Sequence, residues 1–403
     1  MTEVTGQDWL TASATRAVIT ALEAAGGPGC ARFVGGCVRN ALMDRPIDDI
    51  DIATTLKPEQ TEAAVRAAGL KAVPTGIAHG TVTAVAERQP FEITTLRRDV
   101  TTDGRNATVA FTDDWGEDAA RRDFRLNALY ADGEGEVFDP TGEGVADAAA
   151  GRIVFVGDPR TRIREDYLRI LRFFRFFAWY GRGTPDADGV EACRELAPGL
   201  TRLSAERVSK ELMKLLAAQE PRPAMAAMAQ TGVLAQVLPE AGPLDLFDAI
   251  VPLSADPVVR LMTLFAVDAE AMRGAAERLR FPNATRDRLV ASALAASAVS
   301  LDMTKPEARA AVYRHRGRAV TDALLRQLAG APDHNISALF EVAEGWIPPR
   351  LPVGGKDVAR LGVQPGPETG KLLKAFEDSW IADDFPTSGH AERLAKLVSS
   401  ARG

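Results

Sequence analysis

Near residue 159 the hydrophobic periodicity of this 403-residue chain changes, and that change most limits what it can fold into. Upstream, short apolar runs are interrupted by glycine and proline. Downstream, apolar positions recur three and four apart in Ala-, Leu- and Arg-rich segments separated by PRP, FPN and PGP. The length exceeds one ordinary core. The pattern therefore predicts an α+β fold, a mixed sheet with helices over about 150 residues followed by an all-helical half. In the first half, residues 8–26 read as an amphipathic helix stopped by Gly26, Gly27 and Pro28. ARFVGG reads as a strand ending in a glycine pair, CVRNALM as a helix, and IDDIDIAT as an alternating strand. A helix near 58–68 and strands at KAVPT, GTVTAVAE and FEITTLR complete the sheet.

The chain is 46% hydrophobic and 26% charged, which places it with globular proteins rather than disordered ones. It has no run of 18 apolar residues, so no membrane association is expected. MTEVTGQDWL lacks the basic and apolar regions of a secretory signal, which predicts a cytoplasmic location. Cys30, Cys37 and Cys193 are too few and too scattered for a disulfide framework or a zinc knuckle, and read as buried thiols. The net charge of −7 argues against nucleic acid, but residues 160–214 hold 12 basic and 8 acidic residues, hence +4 against −11 for the rest. That stretch is either an RNA-facing surface or a solvated Arg-rich face.

Asp49 and Asp51 lie two apart in the expected strand, so both carboxylates project from one face while Asp48 points away. Such a pair suits magnesium, and two ions so held activate a hydroxyl and neutralise a leaving pyrophosphate. Asp-x-Asp also occurs in many solvated turns. Gly35 and Gly36, between strand and helix, let backbone N–H groups approach phosphate, with Arg39 facing a triphosphate; alternatively they form a tight turn with Arg39 on the helix surface. All these elements fall within 25 residues.

RFVGGCVRNALMDRPIDDIDIAT resembles the first motif of the class II tRNA nucleotidyltransferase and bacterial poly(A) polymerase family. ITTLRRDVTTDGR is similar to its flexible loop, RRDFRLNALY to its ribose-selecting motif, VFDPTGEGVADAAAG to a linking motif, and IREDYLRILRFFRF to its base-recognising motif. LSAERVSKELMKLL and GGKDVARLGVQPGPETGKLLKAF are similar to the end of the neck and to the tail. Two departures are Asn40, where Asp is usual, and Arg125, where Thr usually follows the Phe of RRDF. The resemblance implies a polymerase-beta-like head at 1–155, a helical neck at 156–220, a body at 221–345 and a tRNA-binding tail at 346–403. It further implies that Asp49 and Asp51 bind magnesium, that Gly35, Gly36, Arg39 and Arg122 contact the nucleotide, and that Asp123 probes the ribose. Glu92 is either a third carboxylate or a surface strand residue. Arg105 of the flexible loop bears on A addition, and this segment could equally be an ordinary solvent loop.

In EDYLRILRFFR, Asp166, Arg169, Arg172 and Arg175 recur every three residues and would share one helix face opposite Leu168, Leu171, Phe174 and Phe177. An amphipathic neck helix accounts for part of this pattern. Under the resemblance, Asp166 accepts and Arg169 donates at the edge of cytosine or adenine, whereas guanine and uracil present the reverse order. The expected activity is untemplated addition of CCA to tRNA from CTP and ATP, with no obligate protein partner. A poly(A) polymerase or A-only enzyme shares these motifs; the acidic net charge and the short SSARG end favour CCA addition. A non-catalytic RNA-binding module is the alternative of another class, disfavoured by the intact aspartates. Arg202, Arg207 and Lys210 are further candidates for RNA contact. None of His79, His315, His334 and His390 is followed by Asp, so no phosphohydrolase activity is expected.

Overall fold

The computed structural model describes residues 2–4, 6–77, 80–103 and 106–402; His79 and Arg105 lie outside them. The chain divides into two compact units, Met1–Pro239 and Glu240–Gly403.

The first unit opens with α1 (Asp8–Thr11) and α2 (Ser13–Gly26), parted at Ala12, where the sequence predicts one helix. Then come β1 (Ala31–Val34), α3 (Gly36–Leu42), β2 (Asp51–Thr54), α4 (Pro58–Ala67), β3 (Lys71–Gly76), β4 (Thr81–Ala86) and β5 (Gln89–Thr95). With β8 (Tyr130–Ala131) and β9 (Val137–Phe138) they build a seven-stranded sheet in the order β3-β4-β5-β2-β1-β8-β9. Among the described residues only β2 and β5 pair in parallel, aligning Asp51 with Glu92. Pro58 at the first position of α4 and the Lys57 N–H to Gln60 side-chain bond (2.9 Å) set where that helix starts.

IDDIDIAT yields a strand only from Asp51. β1 pairs with β2 through residues 31–33 and then leaves the ladder at the Gly35 turn, so 47–50 lack a partner on that side. Asp48 and Asp49 consequently lie in the segment before the strand, where the two-residue alternation that would turn Asp48 away does not apply. ITTLRRDVTTDGR also differs from the loop reading. β6 (Arg97–Asp103) and β7 (Asn106–Phe111) form a separate two-stranded antiparallel sheet pairing Asp103 with Asn106.

Beyond α5 (Trp115–Ala120) and α6 (Gly144–Ala150), the described residues hold helices alone: α7 (Pro159–Glu165), α8 (Leu168–Tyr180), α9 (Ala187–Leu196), α10 (Ala205–Leu216), α11 (Arg222–Gln230) and α12 (Val233–Val237). In α8, Leu168, Leu171, Phe174 and Phe177 are buried, as are Ile170, Phe173 and Phe176. Phe173 stacks on Phe155 with centroids 5.5 Å apart and planes within 10°, and Phe155 bridges to Phe124. These rings join the segments after the sheet to α8.

The second unit contains α13 (Asp245–Ile250), α14 (Pro257–Met262), α15 (Ala269–Arg278), α16 (Asn283–Ala295), α17 (Lys305–His315), α18 (Gly317–Gly330), α19 (Ser337–Gly345), α20 (Gly355–Arg360), α21 (Pro367–Ala382) and α22 (His390–Arg402). One core gathers Val312, Val320, Leu324 and Leu339; a second gathers Phe376, Trp380, Phe385 and Leu394. Among the described residues no helix is long and apolar enough to cross a membrane.

Phe173 is fully buried in this aromatic group, so Phe173→Ala leaves a cavity among rings with little freedom to collapse. We expect the first unit to lose about 3–5 kcal/mol of stability, read from its urea unfolding midpoint at unchanged slope.

Candidate active site

Where β1 ends, Gly35 adopts φ 68° and ψ −114°, a conformation that side-chain-bearing residues rarely adopt, and turns the chain into α3. A Cβ there would stand 3.6 Å from an Arg122 amino nitrogen. One helical turn on, Arg39 is buried rather than displayed on the helix surface. Its guanidinium donates to Asn127 Oδ1 (2.6 Å), to Asn40 Oδ1 (2.8 and 3.1 Å) and to the Tyr180 hydroxyl (2.8 Å), and it lies 4.0 Å from the Tyr180 ring centroid. Asn40 donates in turn to the Pro46 carbonyl (2.7 Å). A carboxylate in its place would keep the Arg39 contact and lose that donor, which is what Asn supplies where the resembling motif carries Asp.

Asn127 links this cluster onward. Its amide donates to Asp123 Oδ1 (3.0 Å), while Arg172 Nε donates to Asp123 Oδ2 (2.8 Å) and the Phe124 N–H caps the same carboxylate (2.9 Å). Burial works to raise the Asp123 carboxyl, but the Arg172 guanidinium and the Asn127 amide outweigh it and hold it at about 2. Arg122 is anchored likewise by Asp118 (3.0 Å) and the Tyr130 hydroxyl (3.2 Å). Asp118 also takes Arg121 (2.7 Å) and the Tyr130 hydroxyl (2.7 Å). Against the opposing effect of burial, these partners lower it to about 2.

A cleft of about 400 Å³ opens beside α3, lined by Gly36, Arg39, Asn40, Ile47, Asp48, Asp49, Asp51, Arg175, Trp179, Tyr180 and Lys214. Thus Asp48 faces the same space as Asp49 and Asp51. Asp51 stands exposed at the strand end. Its carboxyl is pushed up to about 6, first by the protein displacing water around it and then by the charges of Glu92 and Asp49, with Arg122 opposing. Among the described residues no group of three or more His, Cys, Asp or Glu side chains is placed to hold a metal ion. A carboxylate pair completed by substrate phosphate and water is nevertheless an ordinary magnesium arrangement, and a cation relieves the repulsion at Asp51. The donor set therefore fits a divalent ion.

Asp166 departs from the sequence reading. It does not lie on the helix with Arg169: α7 stops at Glu165, Asp166 is extended (φ −153°, ψ 108°), and α8 begins at Leu168. Its carboxylate accepts the Leu168 N–H (3.1 Å) and pairs with Arg207 (2.6 Å). The side chain competes for backbone N–H groups and breaks the helix there. Arg169 pairs with Glu165 and donates to the Arg162 (2.8 Å) and Arg121 (3.1 Å) carbonyls, while Arg175 meets Glu211 (2.5 Å). The cleft thus gathers Gly36, Arg39, Asp49, Asp51 and Arg175; Arg122 and Gly35 adjoin it; Asp123 and Arg172 form a buried tie; Asp166 and Arg169 sit at the start of α8.

Sequence reasoning missed several members. Asp118 stands three and four residues before Arg121 and Arg122, a helical ion-pair spacing. Asn127 follows Asp123 by four. Glu211 was visible as an acid on the apolar side of α10 beside Val208, Leu212 and Leu215. Trp179, Tyr180 and Lys214 carried no signal, because only packing brings α8 and α10 to the aspartates.

A glycine turn and strand-end aspartates on such a sheet are the head of a nucleotidyltransferase. Residues 31–154 match the family described as "Poly A polymerase head domain", and residues 184–243 that described as "Probable RNA and SrmB- binding site of polymerase A". The human protein named CCA tRNA nucleotidyltransferase 1, mitochondrial, is 34% identical over 367 residues, covering 87% of this chain and 82% of the relative. A CCA-adding enzyme of Limosilactobacillus fermentum is 30% identical over 387 residues, covering 92% and 94%. The crystal structure of the Bacillus stearothermophilus CCA-adding enzyme in complex with CTP superposes with a TM-score of 0.75 at 27% identity, covering 96% of both chains. The chain belongs to the CCA tRNA nucleotidyltransferase family.

Asp118 and Asp123 are held near 2 in the fold against 3.8 for an ordinary aspartate. Their depressed values add stability that is present above pH 4 and is lost as pH falls towards 2, by about 2 kcal/mol each. Unfolding free energies measured between pH 4 and pH 2 should therefore fall less steeply for Asp118→Asn than for the parent, even though the variant starts from a lower value.

Proposed function

We propose that this protein adds C, C and A to the 3′ end of tRNA, the RNA hydroxyl attacking the α-phosphate of CTP and then of ATP with release of pyrophosphate. Membership of the CCA tRNA nucleotidyltransferase family supports this reading. The observation that carries it is the group of carboxylates at the β2 end of the cleft, where Asp49 and Asp51 line the space and Glu92 stands in register with Asp51. Asp49 and Asp51 would hold magnesium, two ions by our reading, and Glu92, in register with Asp51, adds negative charge beside them. Bound there, magnesium supplies Lewis-acid polarisation of the phosphates and a lowered pKa at the attacking hydroxyl.

The chain's own residues do the rest. The Gly35–Gly36 turn presents backbone to phosphate without a side chain in the way, and Arg39 and Arg122 keep positive charge beside it in fixed positions. Asp123, within the ribose-selecting motif, orients Arg172 and would probe the ribose of the incoming nucleotide. Asp166 and Arg169 would read the base edge once released from Arg207 and Glu165, a rearrangement expected on substrate binding. Residues 1–155, 156–220, 221–345 and 346–403 are assigned as head, neck, body and tRNA-binding tail. A cytoplasmic location is supported by three free, buried thiols.

The test supplies tRNA lacking its CCA, magnesium and each triphosphate in turn, then CTP with ATP. Addition of C, C and A followed by arrest is expected; an A ladder on any RNA would replace the reading with a poly(A) polymerase. Asp51→Asn should lower the incorporation rate by about 10³-fold, since metal stabilisation of several kcal/mol is lost, while tRNA affinity changes little.

A further inference from the structure

Trp179 and Lys214 form a wall of the cleft to which nothing above assigns a task. Trp179 is a large apolar side chain left 36% exposed at the end of α8. Its ring is fixed rather than loose, because its Nε1 donates to the Lys214 carbonyl at 2.7 Å. On the same wall, the exposed Lys214 has no ion-pair partner among the described residues, whereas Arg175 is neutralised by Glu211 and Arg39 is held in place by Asn40, Asn127 and Tyr180. An aromatic side chain held by a hydrogen bond and an unpaired lysine, lining one cleft together with carboxylates, match a nucleobase with its adjoining phosphate.

Two nucleotides must meet in this space, the incoming triphosphate and the RNA end. Trp179 lies ten residues beyond Arg169 on one helix, hence about 15 Å along its axis. A base whose edge is read by Asp166 and Arg169 cannot also stack on Trp179. The second platform is left for the other substrate. We infer that Trp179 stacks on the 3′-terminal unpaired base of the acceptor RNA, with Lys214 against its phosphate, placing the 3′ hydroxyl towards Asp49 and Asp51. The inference rests on the reading of Asp166 and Arg169 given above.

The test uses the full chain and measures equilibrium binding of a labelled acceptor-stem RNA, with or without one unpaired 3′ nucleotide, to the parent, Trp179→Ala, Trp179→Phe and Lys214→Ala. Trp179→Ala should weaken binding about tenfold for the RNA carrying the unpaired nucleotide and leave the blunt RNA unaffected, and Trp179→Phe should restore most of the loss. Lys214→Ala should flatten the salt dependence of binding by about one phosphate contact. In steady state, Trp179→Ala should raise KM for tRNA, with KM for CTP and the preference for CTP over UTP unchanged. A merely structural tie between α8 and α10 would weaken both RNAs equally and overturn the inference, as would a rise in KM for CTP, which would assign the wall to the triphosphate. Parent protein that binds the RNAs with this difference yet incorporates nothing would overturn the functional reading and leave the platform standing.

Discussion

A continuous hydrogen-bonded relay, buried at its centre and half-buried at its ends, holds the site together: Tyr180 hydroxyl, Arg39, Asn127, Asp123, Arg172. It begins and ends on α8 and passes through α3 and the turn after α5. Each member is costly to bury unpaired, so the relay is stable only when α3, that turn and α8 are all in place. The glycine turn and the neck helix are thereby set relative to each other by charge-assisted bonds, reinforced by the Phe124, Phe155, Phe173 stack beneath.

Against this satisfied network, the strand end is deliberately unbalanced. Asp118 and Asp123 are stabilised as anions, chiefly by arginines, while Asp51 is destabilised as an anion by loss of solvent and then by the charges of Glu92 and Asp49. The same residue type serves two ends because its surroundings differ. Where charge is compensated the carboxylate organises structure; where it is not, the site favours a cation. The arginines of α8 are each held by a carboxylate, Arg169 by Glu165, Arg172 by Asp123 and Arg175 by Glu211.

Much of the site was legible because its chemistry is local. The glycine pair, Arg39, Asp49 and Asp51 fall within one strand-turn-helix-strand unit, and their order resembles a family motif, so residue types and approximate elements followed together. The pairing of β6 with β7 carried a signal as well, the Asp-Gly dipeptide in RRDVTTDGRNATVAF, which a loop reading passed over. Asp166 was misplaced on α8 because a three-residue repeat describes a helix only if the helix is continuous, and an aspartate able to bond its own backbone ends one.

By itself the sequence determined the α+β division near residue 159, the carboxylate pair, the glycine turn and the family these define, since each depends on periodicity or on residues close in the chain. Only the tertiary structure decided which partner each ionic group takes. Arg172 reaches Asp123 across 49 positions, Arg175 reaches Glu211 across 36, and Arg39 reaches Asn127 across 88. Helical spacing places a guanidinium on a face, but which acceptor meets it depends on which element packs there. That is settled by burial of apolar surface between distant segments, which no local pattern records.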